Sequence, residues 1–139
     1  MIPFLDTFTR ADFHFGARPE TITRPAKLSA VDRNHPGIQF VGVHMGGLAA
    51  PFEELRRDLK PEPNLSLDTS NAAHTLKDDE FIELLKIHGP AHILFGTDWP
   101  WFDHASEIPK LNGLLDRAGY GPADKENVFG LNVRKLLGL

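Results

Sequence analysis

Apolar positions along the chain follow two alternating rhythms, and the alternation predicts four strand–helix units. Residues 2–5, 39–43, 65–69 and 92–97 are short segments that read as strands, 39–43 with the β-branched apolar pattern of a buried one. Helical spacing fills the intervals. Pro25 opens a helix expected to run to about Asn34, and His35-Pro36-Gly37 breaks it. Residues 51–59 carry Glu53 and Glu54 near the start and Arg56, Arg57 and Lys60 toward the end, the charge order that suits a helix dipole. Over 78–88, Phe81, Leu84, Leu85 and His88 recur at i, i+3, i+4 and i+7, and Leu111, Leu114, Leu115 and Ala118 do the same over 107–118. A last amphipathic segment, 124–137, breaks near Gly130. Strands that alternate with helices in this way predict a parallel α/β sheet with its helices packed outside.

Two of the strands end in residues that carry chemistry. The run Ile93-Leu94 leads into Phe95-Gly96-Thr97-Asp98-Trp99-Pro100-Trp101-Phe102; on a period of two Leu94, Gly96 and Asp98 share a face, and Trp99-Pro100 stops the strand. Asp98 is therefore expected at the carboxyl end, facing a cavity, or else as the cap of the following turn. Gln39 to Val43 likewise ends in His44, followed by Met45-Gly46-Gly47, glycines that allow a tight exit and close backbone approach to a ligand.

These segments resemble the metal-dependent amidohydrolases of the barrel type, a family of small-molecule hydrolases and decarboxylases. "HPGIQFVGVHMGG" (35–47) is similar to that family's sixth strand, "LSLDTSNA" (65–72) to its seventh, "ILFGTDWPWF" (93–102) to its eighth and "NVFGLNVRKLLGL" (127–139) to its closing helix. The resemblance implies the carboxyl-terminal half of a (β/α)8 barrel: about four βα units with parallel strands and a C-terminal helix, in one partial domain spanning 1–139. It also implies a divalent metal, zinc by preference with manganese or iron as alternatives. Asp98 then binds metal and activates its water, and His44 either binds metal or orients the water.

That chemistry is physically coherent. A divalent ion brings the pKa of a bound water near neutrality, and a carboxylate accepts the proton as the hydroxide attacks a carbonyl carbon. Imidazole can ligate through one nitrogen or stand aside and hold the hydroxide or oxyanion. The expected reaction is hydrolysis or non-oxidative decarboxylation of a small carbonyl or carboxylate compound. Trp99 and Trp101, with Phe102, are the expected walls of its pocket.

Length sets a limit on this reading. A closed barrel takes about 250 residues, whereas the chain has 139, and the matched motifs all belong to the family's second half. The family's amino-terminal His-x-His pair has no counterpart, and a catalytic zinc site takes about three protein ligands plus water. The fifth-strand ligand position falls either on Asp6, directly after Ile2 to Leu5, or on His14 in His14-Phe15-Gly16; the competing reading of His14 is a loop histidine stacked among Phe13 and Phe15. The alternative to an enzyme is thus a catalytically incomplete half-barrel or an interaction module.

Composition excludes several other classes. Fifteen basic and nineteen acidic side chains give a net charge of −4, without the basic cluster that nucleic acid or anionic membrane requires. Cysteine is absent, so disulfides and thiolate metal sites are excluded, and no run of about eighteen apolar residues marks a membrane span. A cytoplasmic location is the expectation. His35 and His88, at helix ends, are read as carbonyl caps, His74 and His104 as solvated loop residues, and Asp68 as a barrel-facing residue without a role. A four-stranded piece of a barrel is expected to leave two bare edges and an apolar inner face, which predicts pairing with a second copy or with a complementary half-barrel chain.

Overall fold

The computed structural model describes residues 1–139, and its centre is a four-stranded parallel sheet in the order β1-β2-β3-β4. The strands are β1 (Phe4–Leu5), β2 (Phe40–Gly42), β3 (Leu65–Asp68) and β4 (Ile93–Leu94). Helix α1 (Ala11–Phe15) follows β1, α2 (Pro25–Asn34) leads into β2, α3 (Phe52–Asp58) into β3, and α4 (Ala72–Thr75) with α5 (Asp78–His88) into β4. Helix α6 (His104–Ala118), α7 (Pro122–Glu126), a π-helical turn (Asn127–Leu131) and α8 (Asn132–Leu137) complete the chain. This is the expected series of βα units with a C-terminal helical segment. Sequential neighbours pair throughout, Phe4 with Val41, Val41 with Ser66 and Leu67 with Ile93.

The core lies between the sheet and its helices. Phe40, Leu65, Leu67 and Ile93 meet Leu28 of α2, Leu55 of α3, Phe81, Leu84 and Leu85 of α5 and Leu111, Leu114 and Leu115 of α6 in one buried cluster. Each such side chain contributes about 1.5–3 kcal/mol by leaving water, so the helical stripes visible in the sequence carry much of the stability. Helix α5 has the predicted bounds, with the Lys77 N–H donating to the Glu80 carboxylate at its start. Helix α6 begins three residues earlier than its apolar stripe suggests, because the Asp103 carboxylate caps it by accepting from Ser106 N at 3.0 Å.

Two expectations change. His88 does not cap carbonyls: its ring is buried, Nε2 has no partner, and burial, with His92 and Lys60 nearby, pushes its pKa down to about 4. The sheet also has one bare edge rather than two. On the outer side of β4, Asn132 Nδ2 donates to the carbonyls of Ile93 (2.8 Å) and Pro90 (2.7 Å), and Phe95 N donates to the Val128 carbonyl. The C-terminal segment thus takes the place of a fifth strand, while β1 pairs with β2 alone and leaves Phe4 54% exposed. No helix is long and apolar enough to cross a membrane.

Candidate active site

The carboxyl ends of β2, β3 and β4 converge, and their exits are unusual backbone. His44, Met45, Asn71 and Asp98 all have positive φ, at 58°, 53°, 57° and 65°. Such geometry costs a non-glycine residue on the order of 1 kcal/mol or more and persists where surroundings over-determine it. The glycines after His44 serve packing here: a Cβ on Gly46 would stand 2.3 Å from Leu59 Cδ1, and one on Gly47 2.8 Å from Leu55 Cδ2. Their close approach is to side chains at α3.

Asp98 lies beyond the sheet. Regular pairing ends at Leu94, because Phe95 N turns to Val128 and Gly96 N bonds the Thr69 hydroxyl at 3.2 Å. The two-residue alternation that predicted its direction therefore does not extend to it, and its place comes from the left-handed turn at Asp98 itself. Its Oδ2 accepts from Asn71 Nδ2 at 2.8 Å.

His44 is buried, and its Nδ1 lies 2.8 Å from the Ser70 carbonyl and 2.9 Å from the Ser70 hydroxyl. The Asp68 carboxylate ties the same residues together: Oδ1 accepts from His44 N (2.9 Å), Ser70 N (3.1 Å) and Ser70 Oγ (2.5 Å). Burial raises the pKa of that carboxyl, against the hydrogen bonds from Ser70 and His44 that lower it. On its other side His44 Nε2 faces Asp6 Oδ1 at 3.8 Å. Of the two candidates for the fifth-strand position, Asp6 is thus the one beside His44. His14 projects from α1 into solvent, stacked on Phe8 at 5.2 Å and edge-on to Phe13 at 5.0 Å. Trp99 and Trp101 are 68% and 75% exposed in the loop after β4.

Sequence reasoning passed over three residues at this end of the sheet, Ser70, Asn71 and Glu107. Asn71, three residues beyond the end of β3 at Asp68, was the one available signal, since asparagine is enriched in left-handed turns. His74, expected in solvent, meets the buried Glu107 with Nε2 2.9 Å from Oε1, stacks on Phe102 at 3.7 Å and approaches Lys110 Nζ. That cluster fastens α4 to α6 and to the base of the Trp99–Trp101 loop. His104 begins α6 and presents its ring to Phe95.

A family model described as Amidohydrolase matches residues 8–139. The chain belongs to the amidohydrolase family. A zinc-bound amidohydrolase from Burkholderia multivorans has the same fold over 99% of the chain, with TM-score 0.73 and 16% identity, and the match covers 52% of that protein. An amidohydrolase from Bifidobacterium longum subsp. infantis matches 83% of the chain and 46% of its own length, at TM-score 0.61 and 19% identity. A dihydroxybenzoic acid decarboxylase from Polaromonas, with bound manganese and the inhibitor 2-nitroresorcinol, matches 83% of the chain and 39% of its own, at TM-score 0.55 and 21% identity. The amidohydrolase chain thus spans about half the length of the first two of these relatives. No curated protein sequence matches it.

Metals are bound in two of those relatives, and the donors of this chain can be tested against one. A catalytic zinc takes about three protein ligands. No group of three or more His, Asp or Glu side chains comes together as a ligand set. The bonds of Asn71 to Asp98 Oδ2 and of Ser70 to His44 Nδ1 leave Asp98 Oδ1 and His44 Nε2 as the donors these two residues can still offer. The donor set of this chain does not by itself fit a metal site.

Proposed function

We propose that this chain is a catalytically incomplete half of an amidohydrolase-type barrel, contributing Asp98 and His44 to a site finished by a complementary half. The observation that carries this reading is that His44, its neighbour Asp6 and Asp98 do not come together as the set of about three ligands that a catalytic metal needs. The completed site would act on a small carbonyl or carboxylate compound, by hydrolysis or non-oxidative decarboxylation, with Trp99 and Trp101 beside the substrate. Acid–base work is the part these residues suit, because Asp98 keeps one oxygen free and His44 Nε2 faces away from its Ser70 anchor. The complementary half is a second copy or a separate polypeptide segment, and β1 is the edge open to it.

The test is elemental analysis of zinc and manganese in the purified, dialysed chain, beside Asp98→Ala and His44→Ala variants. Metal far below one equivalent in all three is expected. Near-stoichiometric metal that both substitutions abolish would show that the half-barrel builds a complete site and would overturn the reading of incompleteness.

A further inference from the structure

The four residues Asp68-Thr69-Ser70-Asn71, which leave β3, reach both neighbouring strands, and each of the last three does so with a different partner. Thr69 Oγ donates to the Gly96 carbonyl and accepts from Gly96 N, both at 3.2 Å, replacing the ladder that β4 has abandoned. Ser70 holds His44 and Asn71 holds Asp98. We infer that Ser70 and Asn71 are positioning residues: Ser70, backed by Asp68, fixes His44 as the Nδ1–H tautomer with the Nε2 lone pair turned toward the mouth, and Asn71 fixes which Asp98 oxygen is free. The inference rests on the proposed roles of His44 and Asp98.

The tautomer follows from what each partner can accept. A carbonyl oxygen cannot donate, so the 2.8 Å contact from the Ser70 carbonyl to Nδ1 is a hydrogen bond only if that nitrogen carries the proton. The Ser70 hydroxyl spends its own proton on Asp68 at 2.5 Å and so also meets Nδ1 with a lone pair, at 2.9 Å. Two buried acceptors thus converge on one ring nitrogen. The competing attraction is Asp6, which would draw a proton to Nε2, but it is 3.8 Å away and its side chain is 76% exposed, so solvent screens it. Which nitrogen of an imidazole is free is set by the bond the other makes. Here that leaves Nε2 able to accept a proton or a cation.

Asn71 acts by the same logic. Its left-handed backbone, φ 57°, aims the side-chain amide at Asp98 Oδ2, and asparagine tolerates that conformation better than most residues. A glycine at this position keeps the backbone and deletes only the donor.

The experiment is long-range 1H–15N NMR of the histidine side chains in the full chain, with His44 assigned by its loss in His44→Gln. The expected result is the Nδ1–H pattern in wild type, a shift of the tautomer ratio by roughly fivefold toward Nε2–H in Ser70→Ala, the weight of one ordinary hydrogen bond, and recovery in Ser70→Thr. An Nε2–H ring in wild type overturns the assignment, as does a Ser70→Ala spectrum identical to wild type. For Asn71, the 13C carboxyl resonance of Asp98 should move in Asn71→Gly while the remaining amide spectrum holds; an unmoved Asp98 resonance overturns that half of the inference. None of these readings involves metal or turnover. A wild-type Nδ1–H ring, together with a complemented enzyme whose activity survives His44→Ala in full, would therefore uphold the positioning and sink the proposed function instead.

Discussion

The two outer strands of the sheet are equally short, two residues each, yet they meet their surroundings in opposite ways. Strand β4 is sealed: Asn132 and Val128, brought back by the C-terminal segment, take up the Ile93 carbonyl and the Phe95 N–H that the sheet leaves unpaired. Strand β1 has no such cover and exposes Phe4. A parallel edge can therefore be finished by one side-chain amide and one helical carbonyl, without a strand. An added strand would meet no hydrogen bonds to displace at β1, whereas at β4 it would first have to displace three.

The largest expected effect that separates the two sides is acid sensitivity on the sealed one. His88 packs near His92 at the entry to β4, with its pKa held at about 4 against 6.5 in the unfolded chain. The lowered value means the folded protein prefers the neutral ring, so this stabilisation is complete above pH 6.5 and is lost as pH falls toward 4. About 3 kcal/mol is at stake. Urea midpoints measured from pH 7 to 4 should fall more steeply in wild type than in His88→Leu; parallel curves would remove the ring from the account. Next in size is Asn132→Ala, which strips two carbonyls of their donor and should cost about 2 kcal/mol by equilibrium unfolding. A cost within error of zero would mean that water seals β4 equally well. The smallest is Phe4→Lys on the open side, expected to change stability by no more than about 0.5 kcal/mol and to abolish any self-association seen by light scattering. If it costs as much as Asn132→Ala, β1 is not an open edge.

Regular structure was legible because it has a period. The stripes of α5 and α6 and the apolar runs of all four strands repeat at spacings that the residues themselves display. The site was legible only at its ends. His44 and Asp98 stood out because each follows a buried run, but the alternation that seemed to aim Asp98 had already stopped at Leu94, overridden by a bond from Phe95 to Val128, thirty-three residues on. Ser70, Asn71 and the His74–Glu107 pair left no periodic trace, since their partners lie 26 to 33 residues away and are met through turns. The same holds for the edge: nothing in the spacing of Asn132 announces that it will close β4.

Both tryptophans of the chain are in the loop between β4 and α6, and both are largely exposed in the folded state. Intrinsic fluorescence will therefore behave unusually. Native emission should already resemble that of tryptophan in water, and acrylamide should quench it freely, so a denaturation followed at this wavelength would record little while the core came apart. Under the proposed function the signal registers occupation of the mouth: a blue shift on adding a ligand would come from these two rings alone.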